Sequence, residues 1–330
     1  MGKTAYMFPG QGAQYIGMGK DFYENCVESN QAYQLSSRMT GLNLSHLCFE
    51  DNDQLNITEY TQIALYTTEM AMYFYLKKEN CLADVHIGLS LGEYAALTAS
   101  DVCSYDEGCR IVRARGVFME HEVPAGKGTM AAVLGMTSEE IEKALEQYKK
   151  EQKANGKTDI QLSVANFNCP GQIVISGEKQ EVLDAMDFLK QAGAKRVIEL
   201  NVSGPFHSTM LAGAGEKLSK ELKNVTMNAP VIPYMANVTA NYVDVHATER
   251  DIKNLLSAQV SSSVRFEQSI RRLIHDGVTE FVEIGPGKTL TGFVKKIAKD
   301  MDVAEQITTF NVEKYEDAEE YVRLRSTLIA

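Results

Sequence analysis

The chain has 330 residues, 44% hydrophobic and 23% charged, enough apolar material for a large core in one or two domains. Its net charge of −11 argues against a nucleic-acid binder, which needs a basic face. No apolar run approaches the ~18 residues that cross a bilayer, and residues 1–9 lack a secretory signal's apolar region. The scattered cysteines (Cys26, Cys48, Cys81, Cys103, Cys109 and Cys169) form no C-x-x-C pair and read as reduced thiols of a cytoplasmic protein.

Taken in order, the apolar runs alternate with helix-like stretches. Thr4–Phe8 is a strand ending in the turn Pro9-Gly10-Gln11-Gly12, and Asp84–Leu89 is a strand leading into Ser90. The spacing predicts a helix over Cys109–Glu122. From residue 128 the pattern changes. Strand Thr129–Leu134, helix Ser138–Lys150 and a polar linker Glu151–Lys157 are followed by strands Gln161–Ala165 and Gln172–Ser176, helix Lys179–Gln191 and strand Arg196–Leu200. This β-α-β-β-α-β order is ferredoxin-like. It predicts a small subdomain over 128–200 inserted into a larger α/β domain formed by 1–127 and 201–330. Strand Glu280–Ile284, a Gly285-Pro286-Gly287 turn and helix Thr289–Lys299 follow. Strand, glycine turn and helix in succession predict an α/β fold with a parallel sheet.

Gly88-Leu89-Ser90-Leu91-Gly92 has the G-x-S-x-G pattern of a strand-to-helix turn that projects a serine hydroxyl. Ser90 with Glu93 three residues on also fits a capping box, and the segment alone leaves the two readings open. A serine nucleophile needs a base. Of the six histidines, His86 lies inside a strand, His121 ends a helix, and His46, His246 and His275 have ordinary surface contexts. His207 closes Ser203-Gly204-Pro205-Phe206-His207-Ser208, a turn suited to holding an imidazole at the edge of a cleft.

On the helix over 109–122, Ile111, Val112, Phe118 and Met119 fall within about 60° of Arg115, whereas Arg110 and Arg113 lie on the solvent side. Arg115 is therefore predicted to point inward and to have an anionic partner, either a structural Asp or Glu or a substrate carboxylate. The Gln11 side-chain amide and the Leu91 N–H are candidate oxyanion donors, the alternative for Gln11 being a plain tight turn. Gly10–Tyr15 lacks the third glycine of a dinucleotide fingerprint, and the segment before Gly287-Lys288-Thr289 has Val282 where a phosphate loop needs glycine. No cluster has metal-ligand spacing.

Seven motifs then carry a resemblance. They are Phe8–Gln14, Gly88–Tyr94, Arg115-Gly116 with Met119, Ala165–Gly177, Gly204–Ser208, Asn237-Val238-Thr239 and Glu283–Gly287. In this order and over nearly the full length, the chain resembles the malonyl-CoA:acyl carrier protein transacylases of fatty-acid synthesis. The resemblance implies a hydrolase-like three-layer α/β domain with an inserted ferredoxin-like subdomain. It implies that Ser90 carries the acyl group and that His207 is its base, oriented by a backbone carbonyl near Gln259. Gln11 and Leu91 would form the oxyanion hole, and Arg115 would bind the malonyl carboxylate. Gln62 and Asn166 would lie near the cleft, and Phe206 would crowd the acyl α-carbon.

The implied substrates are malonyl-CoA and an acidic acyl carrier protein, with no resident cofactor or metal, no nucleic acid, no membrane and a monomeric state. A free-standing acyltransferase of a polyketide synthase and a serine thioesterase are the rival readings. Arg271, Arg272, Lys295, Lys296 and Lys299 could form a patch for the carrier or simply solvated helix faces. Leu89, Ile63 and Ser263 depart from the family's usual His, Pro and Pro.

Overall fold

A computed structural model describes residues 2–329. Its ten strands are β1 (Lys3–Phe8), β2 (Val85–Gly88), β3 (Gly128–Leu134), β4 (Leu162–Cys169), β5 (Gln172–Glu178), β6 (Arg196–Glu199), β7 (Tyr234–Ala236), β8 (Asn241–Val243), β9 (Val278–Ile284) and β10 (Thr308–Val312). Six of them form one sheet in the order β10-β9-β1-β2-β7-β8, parallel throughout except for the β7–β8 hairpin at its edge. The other four form an antiparallel sheet in the order β4-β5-β3-β6, that of a ferredoxin-like unit. The expected α/β class and both sheet types are present.

β1 lies inside the large sheet and is covered on both faces, which is why it reads as an unbroken apolar run. Successive side chains still point to opposite sides. Ala5 and Met7 pack with Phe266, Ile270, Phe293 and Ile297, whereas Tyr6 and Phe8 join the larger core around Met70, Tyr73 and Tyr94. The helices Phe266–His275 and Thr289–Asp300 thus cover one face, and Thr58–Lys78 and Gly92–Ala99 the other. The carboxyl ends of β1, β2 and β9 run into the turns at Pro9–Gly12, Leu89–Leu91 and Gly285–Gly287, the edge where open parallel sheets place their ligands.

The small sheet buries one face under the helices Ser138–Ala154 and Lys179–Gln191. Its other face turns Met130, Ala132, Asn166 and Val174 toward the cavity described below. Paired backbone bonds tie it to the large domain, from Phe167 N–H to Val264 O (2.9 Å) and from Val264 N–H to Ala165 O (2.8 Å). Ser263, one of the departures noted above, adds a bond a proline could not, from its hydroxyl to Val164 O at 2.6 Å. Ile63 stands within the first two turns of the helix Thr58–Lys78.

Several boundaries differ from the sequence expectation. The helix expected at Cys109 starts at Tyr105, because Ser104 and Glu107 form a capping box. The helix expected to stop at Lys150 runs to Ala154, absorbing part of the linker. β4 continues past Ala165 to Cys169 through two register shifts that fit Asn166 and Asn168 into a strand. β7, β8 and β10 are three to five residues long, too short for their patterns to stand out. Among the described residues no helix is long and apolar enough to cross a membrane.

Candidate active site

The turn after β2 is built by contact between backbones. A Cβ on Gly88 would lie 1.8 Å from Gly92 C, and one on Gly92 would lie 2.0 Å from Phe8 O. One on Gly10 would lie 2.5 Å from Leu89 O. Glycine at all three positions lets the turn after β1 press against the serine turn. Ser90 itself has φ 55°, a left-handed conformation that costs a residue with a Cβ roughly 1–2 kcal/mol. Asn237 holds it there: Oδ1 accepts from Ser90 N–H at 2.7 Å, and Nδ2 donates to Gly88 O at 2.7 Å.

These contacts rule out the capping-box reading of Ser90. The helix Gly92–Ala99 starts from Leu91 with no side-chain cap. The Glu93 carboxylate, instead of reaching back to the helix end, accepts from Gln259 Nε2 at 2.7 Å and from Asn237 N–H at 3.3 Å.

The Ser90 hydroxyl is free for His207, whose Nε2 is 2.7 Å away. His207 Nδ1 lies 2.8 Å from Gln259 O. A carbonyl only accepts, so Nδ1 carries the proton and Nε2 presents its lone pair to the serine. Burial and the nearby Arg115 charge push the imidazole down to about 4, which keeps it a neutral base at pH 7. His207 also has φ 59°, in a turn braced by Ser208 Oγ donating to Pro205 O at 2.7 Å. His86 is a core residue, with Nδ1 2.8 Å from Ser100 Oγ and its pKa pushed down to about 3 by burial.

Arg115 points inward as expected and is 1% exposed, yet its partners are neutral. Nη1 donates to Gln62 Oε1 (2.6 Å), and Nη2 donates to Gln259 Oε1 (2.9 Å) and Ser90 Oγ (3.1 Å). The guanidinium carbon lies 5.1 Å from the Tyr94 ring centre. Nε is buried with no acceptor, and among the described residues no carboxylate is within ion-pair distance. Among the described residues no structural Asp or Glu pairs with it directly. A buried cation held only by neutral groups suits an anionic ligand. Arg113 is less solvated than expected: it pairs with Glu59 at 2.9 Å and lies 5.0 Å from the Tyr60 ring centre.

The Gln11 side-chain amide, expected as an oxyanion donor, donates through Nε2 to Thr58 Oγ1 at 3.1 Å. The backbone N–H groups of Gln11 and Leu91 donate to no other group among the described residues. Both residues line a cavity of about 430 Å³ together with Ser90, His207, Arg115, Gln62, Asn166 and Phe206. Gln259 lies beneath them, 0% exposed, and does more than the sequence suggested. Besides its carbonyl on His207, its side chain touches Arg115, Glu93 and Ser90 O (2.8 Å). Asn237 and Glu93 belong to recognisable motifs, but their place in this network was not legible there.

A strained serine on a strand-to-helix turn, a neutral imidazole on its hydroxyl and a buried cation with only neutral partners are the components that a serine acyl-transfer site requires. The chain belongs to the acyl transferase domain family, matching it over residues 5–326. It is 43% identical over 298 residues to a Bacillus subtilis malonyl CoA-acyl carrier protein transacylase, covering 90% of this chain and 91% of that protein. The structure of the Clostridium perfringens protein of the same name superposes with a TM-score of 0.89 at 40% identity, covering 99% and 98% of the two chains. A malonyl-transacylase solved in complex with a holo type II PKS acyl-carrier protein gives 0.88 at 31% identity, covering 97% and 99%.

Proposed function

We propose that this enzyme moves the malonyl group of malonyl-CoA to the phosphopantetheine thiol of an acyl carrier protein through a malonyl ester on Ser90. The observation that carries the reading is Arg115, buried with no direct carboxylate partner among the described residues and donating to the hydroxyl of Ser90. The malonyl carboxylate takes over Arg115 donors, including the unpartnered Nε, while Gln62 and Gln259 keep the guanidinium in plane. His207 removes the Ser90 proton as Oγ attacks the thioester carbonyl. The oxyanion is met by the backbone N–H groups of Leu91 and Gln11. Collapse breaks the C–S bond, and His207 returns the proton to the leaving CoA sulfur. In the second half-reaction the carrier thiol gives its proton to His207 and attacks the ester carbonyl; collapse breaks the C–O bond to Ser90, and His207 returns the proton to Ser90 Oγ.

Every proton and electron pair in this cycle is handled by side chains and the two thiols, so the proposal includes no cofactor or metal. Residues 128–200 are proposed as an insert that roofs the acyl cavity, carrying Asn166 at its wall, with 1–127 and 201–330 as the catalytic body. Phe206 is proposed to limit bulk at the acyl α-carbon. The reading places the enzyme in the cytoplasm as a monomer. For the carrier, Arg271 is already neutralised by Glu267 and Asp300 and Arg272 lies beside Asp276, so the expected basic patch reduces to Lys295, Lys296 and Lys299.

Intact-mass measurement after mixing with malonyl-CoA tests the proposal. A malonyl adduct that is absent from Ser90→Ala and discharged by a holo carrier protein supports it; discharge mainly to water means a thioesterase. The solved complex with a polyketide carrier favours one second reading, service to a polyketide synthase, which comparative rates with fatty-acid and polyketide carriers decide.

A further inference from the structure

Glu93 is a buried carboxylate that the acyl-transfer steps leave unused. It is 1% exposed on the helix that follows Ser90. Its Oε2 accepts from Gln259 Nε2 at 2.7 Å, and the Oε1 of the same Gln259 amide accepts from Arg115 Nη2 at 2.9 Å. One neutral side chain therefore spans the buried anion and the buried cation. The bond to Glu93 also sets the sense of the amide: its NH2 faces the acid, so its oxygen faces the arginine.

In the empty site Arg115 and an ionised Glu93 sum to zero charge. A substrate carboxylate adds a second anion to a dry region, where an excess charge is costly. The other titratable groups around Glu93 cannot relieve it. Tyr94 on the same helix and Tyr234 on β7 are held as neutral phenols by burial, Tyr94 at about 12 and Tyr234 well above its usual value. His207, beyond Arg115, is held neutral at about 4. Glu93 is pushed up to about 7, chiefly by burial, and so is poised to accept a proton near neutrality.

We propose that Glu93 is the charge partner of Arg115 in the empty site, relayed through Gln259, and that it takes up a solvent proton when a dicarboxylic acyl group seats its free carboxylate on Arg115. Glu93 is on this view a positioning residue that never meets the substrate. The proposal rests on the malonyl reading above. It makes the net charge around Arg115 the same before and after loading, and it ties the uptake to the substrate's charge. A neutral acyl group brings no second anion and draws no proton.

The test mixes the enzyme with one equivalent of malonyl-CoA in weak buffer containing a pH indicator, with the adduct followed by intact mass. Wild-type enzyme is expected to take up a proton fraction that reaches at most about half per chain at pH 7. Glu93→Gln, which keeps an acceptor for Gln259 but not the charge, is expected to form the adduct without uptake. Subtracting its trace removes any contribution from the released CoA thiol. The neutral monoamide of the malonyl thioester, offered to wild type, is expected to give no uptake and serves as the control should the variant not fold. The apparent affinity for malonyl-CoA should weaken above pH 7, by up to about tenfold per pH unit in wild type, and stay flat in the variant. Adduct formation without uptake between pH 6 and 8, or equal uptake with the neutral amide, overturns the proposal. Absence of any malonyl adduct overturns instead the functional reading on which it rests.

Discussion

Replacing Asn237 by Ala removes the clamp that keeps Ser90 in its left-handed conformation. Two bonds of 2.7 Å disappear, and the Ser90 N–H and the Gly88 carbonyl lose their side-chain partner. Each unsatisfied group costs about 1–3 kcal/mol. Part of this returns, because Ser90 is no longer obliged to keep φ 55° and relaxes by roughly 1–2 kcal/mol. The net expectation is a loss of about 1–4 kcal/mol in stability. The catalytic loss is larger in proportion, since a relaxed turn moves Oγ away from His207 Nε2. A misplacement near 1 Å is worth on the order of 100-fold. Urea unfolding measures the first quantity, and rapid-mixing acylation by malonyl-CoA the second. Asn237→Asp is the companion variant: it keeps an acceptor for Ser90 N–H but turns a charge toward Gly88 O and Glu93, and it should be no better than Ala. If Asn237→Ala stays within about 0.5 kcal/mol and acylates within threefold of wild type, the turn is held by its own packing and the clamp argument is wrong.

Arg115→Ala should lower acylation by malonyl-CoA relative to acetyl-CoA by about 10²- to 10⁴-fold, from two charge-assisted bonds of about 1.5–3 kcal/mol each; an unchanged ratio of kcat/KM values would remove Arg115 from substrate recognition. The acid limb of kcat/KM for acylation should fall near pH 4 instead of near 6.5, because His207 acts as a base only when neutral and its folded value is depressed to about 4. A limb centred at 6.5 in the pH profile contradicts that environment. The stability linked to His207 and His86, whose pKa values are pushed down to about 4 and about 3, is full above pH 6.5 and is lost as the pH falls through those values. Urea midpoints that stay constant from pH 7 to 4 would contradict it. Glu69 is fully buried with both oxygens unpartnered among the described residues, and burial and the neighbouring Glu283 hold its carboxyl well above the usual range. Glu69→Met should therefore stabilise the fold by about 1–3 kcal/mol at pH 8. A raised carboxyl loses stability as the pH climbs above 4.5, so the gain should shrink at pH 5; a variant less stable than wild type at both pH values refutes the argument.

The features legible in the sequence are those written in local spacing. Apolar runs of strand length marked β1, β2 and β9, and the glycines around Ser90 marked a sharp turn because only a missing Cβ permits the approach of Gly92 to Phe8 O. The 100° periodicity was enough to turn Arg115 inward, and a Gly-Pro turn was enough to single out His207. The family resemblance also implied a carbonyl near Gln259 for His207, which is where the Gln259 carbonyl lies.

The contacts that choose between readings were not legible, since they join residues far apart in the chain. Ser90 meets Asn237 across 147 positions and Gln259 across 169, which is a matter of how the sheet and the helix Glu249–Gln259 pack, not of any local pattern. For the same reason Gln11 was expected to offer its side chain to an oxyanion, whereas packing turns it to Thr58. Whether Ser90 capped a helix or stood free depended on Asn237 taking its N–H and on Glu93 turning to Gln259. The sequence by itself determined which residues are buried and where the backbone must turn, because periodicity and missing side chains act within a few residues. Tertiary structure alone decided what each buried polar group faces: among the described residues Arg115 pairs directly with no acid, and Glu93 is held one amide away.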